Sequence, residues 1–506
     1  MQRRTLLQAA GAATLAAALP AALRTAAAAG GAPVSLADAF DSALAGNPWL
    51  LGWEGRGRER EPVRLVTEGR PPDGLAGTLY RNGPAGQVVG GVRYRHWFDG
   101  DGMVHAWRLA PDGAVYRSRF VRTRKFVAET AAGRPLVPAF GTLPPGVPAL
   151  VPGDAMNPAN ISVLPLAGSL LALWEAGSAY DLDPDSLDTR GERVWREDLR
   201  GTPFSAHPKV DPDGTVWNFG VHYPEGRLMV WRLSPDGGLS RFALTDVRHP
   251  GMLHDMAVTG RSLVFVLAPF TLDPERWGRE SFLDAHRWHG NRATRVVAVD
   301  KDDPSRVRTW ELPAGFGFHF GNALEEADGT IRFDFALAPD ARLVTDTLRA
   351  VMGGERADAA GPRAVLVTLR PGGGTSVEAL GPEPAEFPRV DPRVVGRRNR
   401  HLVHLMRPEG SASPWLSALV RRDLETGAVD RFDFAAAEIP EEHVVVPRPG
   451  SDGEADGWLV GTVLDVARRR SGVSVFDARR VADGPLYRAW LDAPVPLGFH
   501  GAFAPA

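Results

Sequence analysis

The sequence predicts an all-β fold in which short antiparallel strands repeat around an axis. Asp-Gly pairs, which favour tight hairpin turns, separate short apolar or alternating runs along the chain. The 56 glycines and 43 prolines also favour turns over long helices. A chain of 506 residues exceeds one sandwich and suits several four-stranded blades of about 40 to 50 residues each. A β-propeller is therefore the predicted architecture.

The N-terminus has the composition of a secretory signal. Met1 to Leu7 contains the pair Arg3-Arg4, an apolar stretch follows to Leu23, and small residues then reach Gly31. The arginine pair is typical of twin-arginine signals. We therefore expect residues 1–30 to be a signal peptide and residues 31–506 to form a single propeller domain. The expected location is periplasmic or extracellular.

Individual elements follow from local patterns. Residues 215–219 and 330–335 come after Asp-Gly pairs and are predicted strands, while the apolar runs 263–267 and 296–299 suit strands buried on both faces. Helices are rare, and three short ones are predicted at residues 35–45, 274–288 and 344–352. Such insertions on a β scaffold often shape a binding site.

Composition excludes several functions. The net charge is only −3 and no basic stripe occurs, so nucleic-acid binding has no electrostatic support. The chain has no cysteine, which excludes cysteine-ligated zinc, cysteine-held iron–sulfur clusters and thiol nucleophiles. Asp300 to Glu311 is a poor match to a calcium loop, because Ser305 stands where that loop needs glycine.

Four of the 13 histidines stand in short, distinctive contexts: His207, His254, His319 and His500. They are dozens of residues apart, so each would come from a different structural unit. A radial fold could bring them together as metal ligands, but from these residues alone separate core histidines remain the simpler interpretation. The pairs His286/His289 and His401/His404 lack the glutamate of a zinc-peptidase motif, and no special role is predicted for them.

The order of the motifs resembles the carotenoid cleavage oxygenases, a family that includes stilbene-cleaving dioxygenases. Gly77–Pro84, His96–His105 and Arg119–Thr123 resemble its N-terminal motifs, and the four histidine segments follow in the family's order. The resemblance spans nearly the whole mature chain. It implies a seven-bladed propeller with a dome of loops and helices over an axial metal site. It further implies that the four histidines bind Fe(II).

The same resemblance implies three glutamates behind the ligands. Glu175 would hold His254, Glu386 would hold His319, and Glu442 would hold His500, leaving His207 without such a partner. A carboxylate that accepts the other ring N–H of a ligand fixes its tautomer and orientation. The family usually has proline after the third glutamate, where this chain has His443, so the local backbone there is in question.

The activity implied is cleavage of a C=C double bond by dioxygen into two carbonyl products. Four neutral imidazoles leave two positions free on an octahedral ion, and nothing in the sequence requires an organic cosubstrate. Trp174, Phe318 and Phe320 are candidates to line an apolar tunnel or to pack in the core. A carotenoid or apocarotenoid substrate would also allow peripheral contact with a membrane.

A phenolic stilbene is the second substrate class. Lys125 lies about where stilbene-cleaving members carry a lysine, and with help from Tyr94 it could favour the phenolate; a solvated surface lysine is the alternative. A non-catalytic binding propeller is the rival function, although it would have no need for four axial histidines. The sequence predicts no particular oligomeric state.

Overall fold

Seven antiparallel sheets form the blades of a propeller, as predicted. The computed structural model describes residues 34–357 and 359–506, so the predicted signal, residues 1–30, lies outside the described residues. The strand His500–Pro505 pairs with Gly77–Gly86 and becomes the inner strand of the first blade, which closes the ring of blades. Val66–Gly69 likewise joins the outer edge of the seventh blade.

Each blade has four or five strands, which follow one another from the axis outward. From the axis outward, blade 1 contains His500–Pro505, Gly77–Gly86, Asp101–Ala110, Gly113–Phe120 and Arg60–Arg64, and blade 2 contains Ser162–Leu166, Ser169–Leu173, Tyr180–Leu182 and Thr189–Glu192. Blade 3 contains Lys209–Val210, Val216–His222, Arg227–Leu233 and Leu239–Arg248. Blade 4 contains Ala257–Val258, Ser262–Leu267, Thr294–Asp300 and Val307–Leu312.

The remaining blades follow the same plan, and two small two-stranded sheets lie outside them. Blades 5 to 7 contain, in order, Phe320–Glu325, Ile331–Leu337, Arg363–Leu369 and Thr375–Ala379; Ala385–Arg389, His401–Met406, Ala418–Asp423 and Val429–Asp433; and Glu438–Pro447, Gly457–Asp465, Arg470–Asp477, Tyr487–Leu491 and Val66–Gly69. The small sheets pair Val88–Val89 with Val92–Arg93 and Phe270–Leu272 with His286–Trp288.

The core lies between neighbouring blades, which explains the doubly apolar strands. In Ser262–Leu267 every residue is buried. Leu263 and Phe265 pack in the cluster shared with blade 3, whereas Val264 and Val266 pack in the cluster shared with blade 5. Successive side chains of a strand point to opposite faces, so a blade between two others buries both.

The Asp-Gly signals also mark turns in the structure. At Asp213-Gly214 the glycine has φ +86°, which disfavours other residues, and Asp213 Oδ1 accepts a hydrogen bond from Thr215 N at 2.9 Å. This turn joins Lys209–Val210 to Val216–His222. The register of the blade is thus set by the turn chemistry visible in the sequence.

Two of the three predicted helices are present. An α-helix spans Leu36–Gly46, with Ser35 as its N-cap, and residues 343–353 form a helical run of π, α and 3-10 turns. Two further α-helices span Arg124–Ala132 and Gly153–Met156. The helix predicted at residues 274–288 is wrong: the segment consists of turns and ends in a strand. Gly278, at φ +83°, interrupts the helical pattern there.

The dome over one end of the axis follows from the strand order. In an antiparallel blade, the start of the inner strand and the connection between the second and third strands lie on the same face. In blades 1, 4, 5 and 6 those connections are long, at residues 87–100, 268–293, 338–362 and 407–417. The described residues of these connections cover the face on which the inner strands begin. Among the described residues, no helix is long and apolar enough to cross a membrane.

Candidate metal centre

All four predicted histidines stand at the starts of inner strands. His207 precedes Lys209–Val210, His254 precedes Ala257–Val258, His319 directly precedes Phe320–Glu325, and His500 begins the last strand. Equivalent positions of strands around one axis lie close together, although the chain between them is long. The structure therefore brings the four histidines together on the axis beneath the dome.

The ring nitrogens converge on one point. The Nε2 atoms of His207 and His254 are 2.9 Å apart, those of His254 and His319 are 3.2 Å apart, and one ligand atom from each of the four lies within 4.8 Å of all the others. Nitrogens about 2.1 Å from one ion and at right angles would be about 3.0 Å apart. The spacing therefore fits four ligands of a single metal ion.

The protonation state of the histidines also suits the binding of a cation. Burial lowers the pKa of His207 well below its usual range, and the neighbouring histidines lower it further. Burial also lowers the pKa of His500, even though Glu442 acts in the opposite direction. Neutral imidazoles keep a lone pair on Nε2 when Nδ1 carries the proton, and lone pairs facing one another need a cation between them.

Carboxylates hold three of the rings. Glu386 Oε2 accepts from His319 Nδ1 at 2.6 Å, and Glu442 Oε1 accepts from His500 Nδ1 at 2.9 Å. Glu175 Oε1 lies 2.7 Å from His254 Nδ1, but it is poorly aligned with that N–H, so this is a close polar contact rather than a directed hydrogen bond. These partners fix which nitrogen of each ring faces the centre.

His207 has a different environment. Its Nδ1 is 3.8 Å from Asp255 Oδ1, which is too long for a hydrogen bond, so within the described part of the chain no glutamate or aspartate holds it. Asp255 instead pairs with Lys209 Nζ at 2.8 Å and accepts from Phe320 N at 2.9 Å. Asp255 therefore ties together the segments that carry three of the histidines. Sequence reasoning missed it, although it directly follows His254.

Two arginines and a second glutamate also support the centre, and sequence reasoning assigned a role to none of them. Glu442 accepts from Arg81 Nη1 at 3.1 Å, from Arg389 Nε at 2.8 Å and from the Gly501 backbone N–H at 2.9 Å. Burial raises the pKa of Glu442, but Arg389, His500 and Arg81 together hold it well below its usual range. Glu441 Oε1 accepts from Arg81 Nη2 at 3.1 Å. The position of Arg81 inside the N-terminal motif Gly77–Pro84 was the available signal.

A register shift explains how two consecutive glutamates serve one site. The pairing of Glu438–Pro447 with Gly457–Asp465 slips between Pro440 and His443, which breaks the usual alternation of faces. His443 fits this bulge. Its Nδ1 donates to Glu441 O at 2.7 Å, and Ser474 Oγ donates to its Nε2 at 2.9 Å. The departure from the family's proline therefore leaves Glu442 on His500.

An apolar cavity of about 270 Å³ lies above the histidines, between the propeller and the dome. Its inner wall includes His254, His319 and His500 together with Phe98 and Phe318. Its aliphatic and aromatic lining also includes Ile161, Phe499, Trp53, Trp97 and Trp415, and its charged lining includes Arg356 and Arg407. Of the three aromatic candidates from the sequence, Phe318 lines this cavity, whereas Trp174 and Phe320 pack in the core.

Lys125 and Tyr94 are together, but away from this cavity. Lys125 lies in the helix Arg124–Ala132 with its side chain 0% exposed. Its Nζ donates to Tyr94 Oη, Asp101 Oδ1 and Glu129 Oε2, each at 2.8 Å, and the two carboxylates hold its pKa well above the usual range despite burial. All three ammonium hydrogens are therefore used. Neither Lys125 nor Tyr94 lines the cavity above the histidines.

Residues 54–505 match the family described as retinal pigment epithelial membrane protein. The chain is 30% identical over 476 residues to the apocarotenoid-15,15'-oxygenase of Synechocystis sp., which covers 90% of this chain and 96% of that protein. It is also 30% identical over 476 residues to lignostilbene-alpha,beta-dioxygenase isozyme III of Sphingomonas paucimobilis, covering 88% and 95%.

Solved structures show the same similarity. A Glu150Asp mutant of the Synechocystis apocarotenoid oxygenase has a TM-score of 0.82 at 27% identity, covering 91% of this chain and 98% of that one. A cobalt-substituted form of the Synechocystis enzyme has a TM-score of 0.81 at 28% identity with the same coverage. Since the family match covers most of the chain, this protein belongs to the retinal pigment epithelial membrane protein family, the family of the carotenoid oxygenases.

Proposed function

We propose that this protein is an Fe(II)-dependent dioxygenase that cleaves a C=C double bond of a conjugated alkene into two carbonyl products. The observation that carries the proposal is the cluster of four histidines, three of them held by carboxylates, at the floor of an apolar cavity. Relatives named for apocarotenoid and lignostilbene oxidation support it. A propeller that only binds a ligand would have no use for converging imidazoles.

The reaction balances without a cosubstrate. Each carbon of the double bond receives one atom of dioxygen, and the bond between the two carbons breaks. A ferrous ion bound by the four imidazoles would supply the site at which dioxygen becomes reactive. No proton donor or external reductant is needed for this stoichiometry, which agrees with a cavity whose inner wall is largely aromatic.

The residues of the chain position the alkene and exclude water. Phe98 and Phe318 pack edge to face at 5.8 Å, and Phe98 packs against Phe499 at 5.2 Å, so aromatic rings surround the space above the histidines. Such a wall favours a planar conjugated substrate and keeps bulk water from the reacting atoms. Arg81 and Arg389 act on the metal centre indirectly, because they hold Glu442, which in turn holds the ring of His500.

Metal analysis coupled to oxygen uptake tests this function. The purified protein is reconstituted anaerobically with Fe(II), and uptake is followed with an apocarotenal and with a hydroxystilbene. We expect about one iron per chain and two carbonyl products, each carrying one atom from labelled dioxygen. Absence of iron after reconstitution, or uptake without alkene cleavage, would contradict the proposal.

Between the two substrate classes, the pair of Lys125 and Tyr94 makes a separable prediction. Lys125→Met is expected to destabilise the fold by about 3 to 5 kcal/mol, because it removes the cation that pairs with the buried carboxylates of Asp101 and Glu129. Loss of turnover in that variant alone is therefore ambiguous. Tyr94→Phe keeps the ion pairs and is the informative change.

If the pair contacts a phenol during turnover, Tyr94→Phe lowers kcat/KM for 4-hydroxystilbene and leaves an apocarotenal unaffected. Chemical denaturation reports stability in the same samples. If a stable Tyr94→Phe variant keeps the parent's kcat/KM for both substrates, the cluster of Tyr94, Lys125 and its carboxylates has a purely structural role.

We infer that the protein is exported by the twin-arginine route, on the basis of Arg3-Arg4 and the apolar stretch that follows. Fusion of residues 1–33 to a reporter that must fold before export tests this. Export should depend on the twin-arginine translocase and fail when both arginines become lysine. Export that persists in that variant would refute this route.

A further inference from the structure

The charged groups along the cavity divide into two sets. Toward the histidines, the carboxylates are all used within the centre: Glu386 holds His319, while Glu441 and Glu442 pair with Arg81. The other charged lining groups are Arg356 and Arg407. Across residues 34–357 and 359–506, no carboxylate lies within 4.0 Å of either guanidinium and neither makes a side-chain hydrogen bond.

Arg407 is fixed in the wall rather than free on the surface. It directly follows the strand His401–Met406, and its backbone N–H donates to Pro384 O at 3.0 Å, next to the strand that carries Glu386. Its side chain is half-buried, whereas that of Arg356, which also lines the cavity, is exposed. A half-buried cation that has no counter-ion among the described residues is costly beside apolar groups, and an anion there would offset the cost.

The tryptophans of the cavity lining suit an extended apolar body. Trp53 and Trp415 pack with ring centroids 4.3 Å apart, Trp97 meets Trp53 edge-on at 5.4 Å, and all three line the cavity. Indole rings bind conjugated π systems well. A cavity whose lining is mostly apolar but includes two arginines selects a molecule with an apolar body and an anionic group.

We propose that Arg407, assisted by Arg356, binds a terminal carboxylate of the substrate, so that the preferred substrate is a conjugated alkene acid. A guanidinium presents paired N–H donors that match a carboxylate. The inference rests on the proposed function, since it assigns the orientation of an alkene toward the histidines. The acid is either a polyene acid or a stilbene carboxylate, because both share an apolar conjugated body with one anionic end.

The test measures binding without turnover. The purified chain is titrated under argon with retinoic acid and methyl retinoate, and with trans-stilbene-4-carboxylate and its methyl ester, by quenching of tryptophan fluorescence. We expect at least one acid to bind roughly tenfold more tightly than its ester, which corresponds to about 1.4 kcal/mol. This preference should decrease as salt increases. The acid–ester pair that shows this preference identifies whether the acid is a polyene acid or a stilbene carboxylate.

Substitutions test whether the preference for the acid depends on Arg407 and Arg356. Arg407→Gln should remove the preference for the acid and leave ester binding unchanged, Arg407→Lys should keep part of it, and Arg356→Gln should reduce it less. Arg332→Gln, which removes an exposed arginine outside the cavity, is the matched control and should change nothing. Equal binding of acid and ester by the parent chain overturns the proposal. Equal loss of both ligands in a folded Arg407→Gln variant also overturns it.

Failure of the function is distinguishable from failure of this inference. If the iron-loaded protein cleaves no alkene but acid binding depends on Arg407, the binding role stands and the dioxygenase assignment falls. If cleavage proceeds equally on acids and esters in both the parent and Arg407→Gln, the dioxygenase assignment stands and the carboxylate-binding role of Arg407 falls.

Discussion

Replacement of His500 by alanine is expected to abolish stoichiometric metal binding and alkene cleavage while the propeller stays folded. One of four converging ligands is lost, so the cost in metal affinity should exceed the roughly 100-fold that loss of an outer carboxylate causes. The fold should tolerate the change, because Glu442 keeps Arg81, Arg389 and the Gly501 N–H as partners. No buried charge is left alone.

The measurement is metal content after gel filtration, together with oxygen uptake and chemical denaturation. His404→Gln is the matched control, since His404 is 2% exposed in blade 6 and lies outside the cluster. It should keep one metal per chain and full activity. A His500→Ala protein that retains both would exclude the four-histidine centre as the site of the reaction.

Much of the architecture was predictable because its causes are local. Asp-Gly turns and apolar runs depend on neighbouring residues, so they predicted strands such as Val216–His222 and Ser262–Leu267. The helix at residues 274–288 was predicted wrongly, because a helical spacing of apolar residues outweighed the single glycine at 278 that turns the chain. The predicted signal, residues 1–30, stays a prediction.

The candidate site was predictable only in part, since it depends on which strand starts meet at the axis. Motif order supplied the histidines and glutamates, and the structure places them within hydrogen-bonding distance or close contact. Asp255 and Arg389 could not be predicted in the same way. Their importance arises from contacts across blades, such as that between Arg389 and Glu442, which are 53 residues apart. A lone charged residue in a sequence gives no sign of such a partner.

Glu442→Gln is expected to weaken both the metal site and the fold. Its carboxylate is 1% exposed and pairs with Arg389 and, together with Glu441, with the buried Arg81. Loss of the charge takes the carboxylate from Arg389 and leaves Arg81 with Glu441 alone, so it should cost about 3 kcal/mol of unfolding free energy. His500 would also lose the acceptor that fixes its tautomer, which should lower metal affinity roughly 10- to 100-fold. Denaturant unfolding and competition with a chelator measure the two effects separately.

Glu386→Gln provides the contrast that makes this result interpretable. Glu386 holds His319 but pairs with no arginine within 4.0 Å among the described residues, so its neutralisation strands no cation. Metal affinity should fall by a similar factor, while the free energy of unfolding changes far less. If both variants lost the same stability, the arginine pairs around Glu442 would not be the cause. Loss of stability without loss of metal affinity in Glu442→Gln would instead show that His500 orients without its carboxylate.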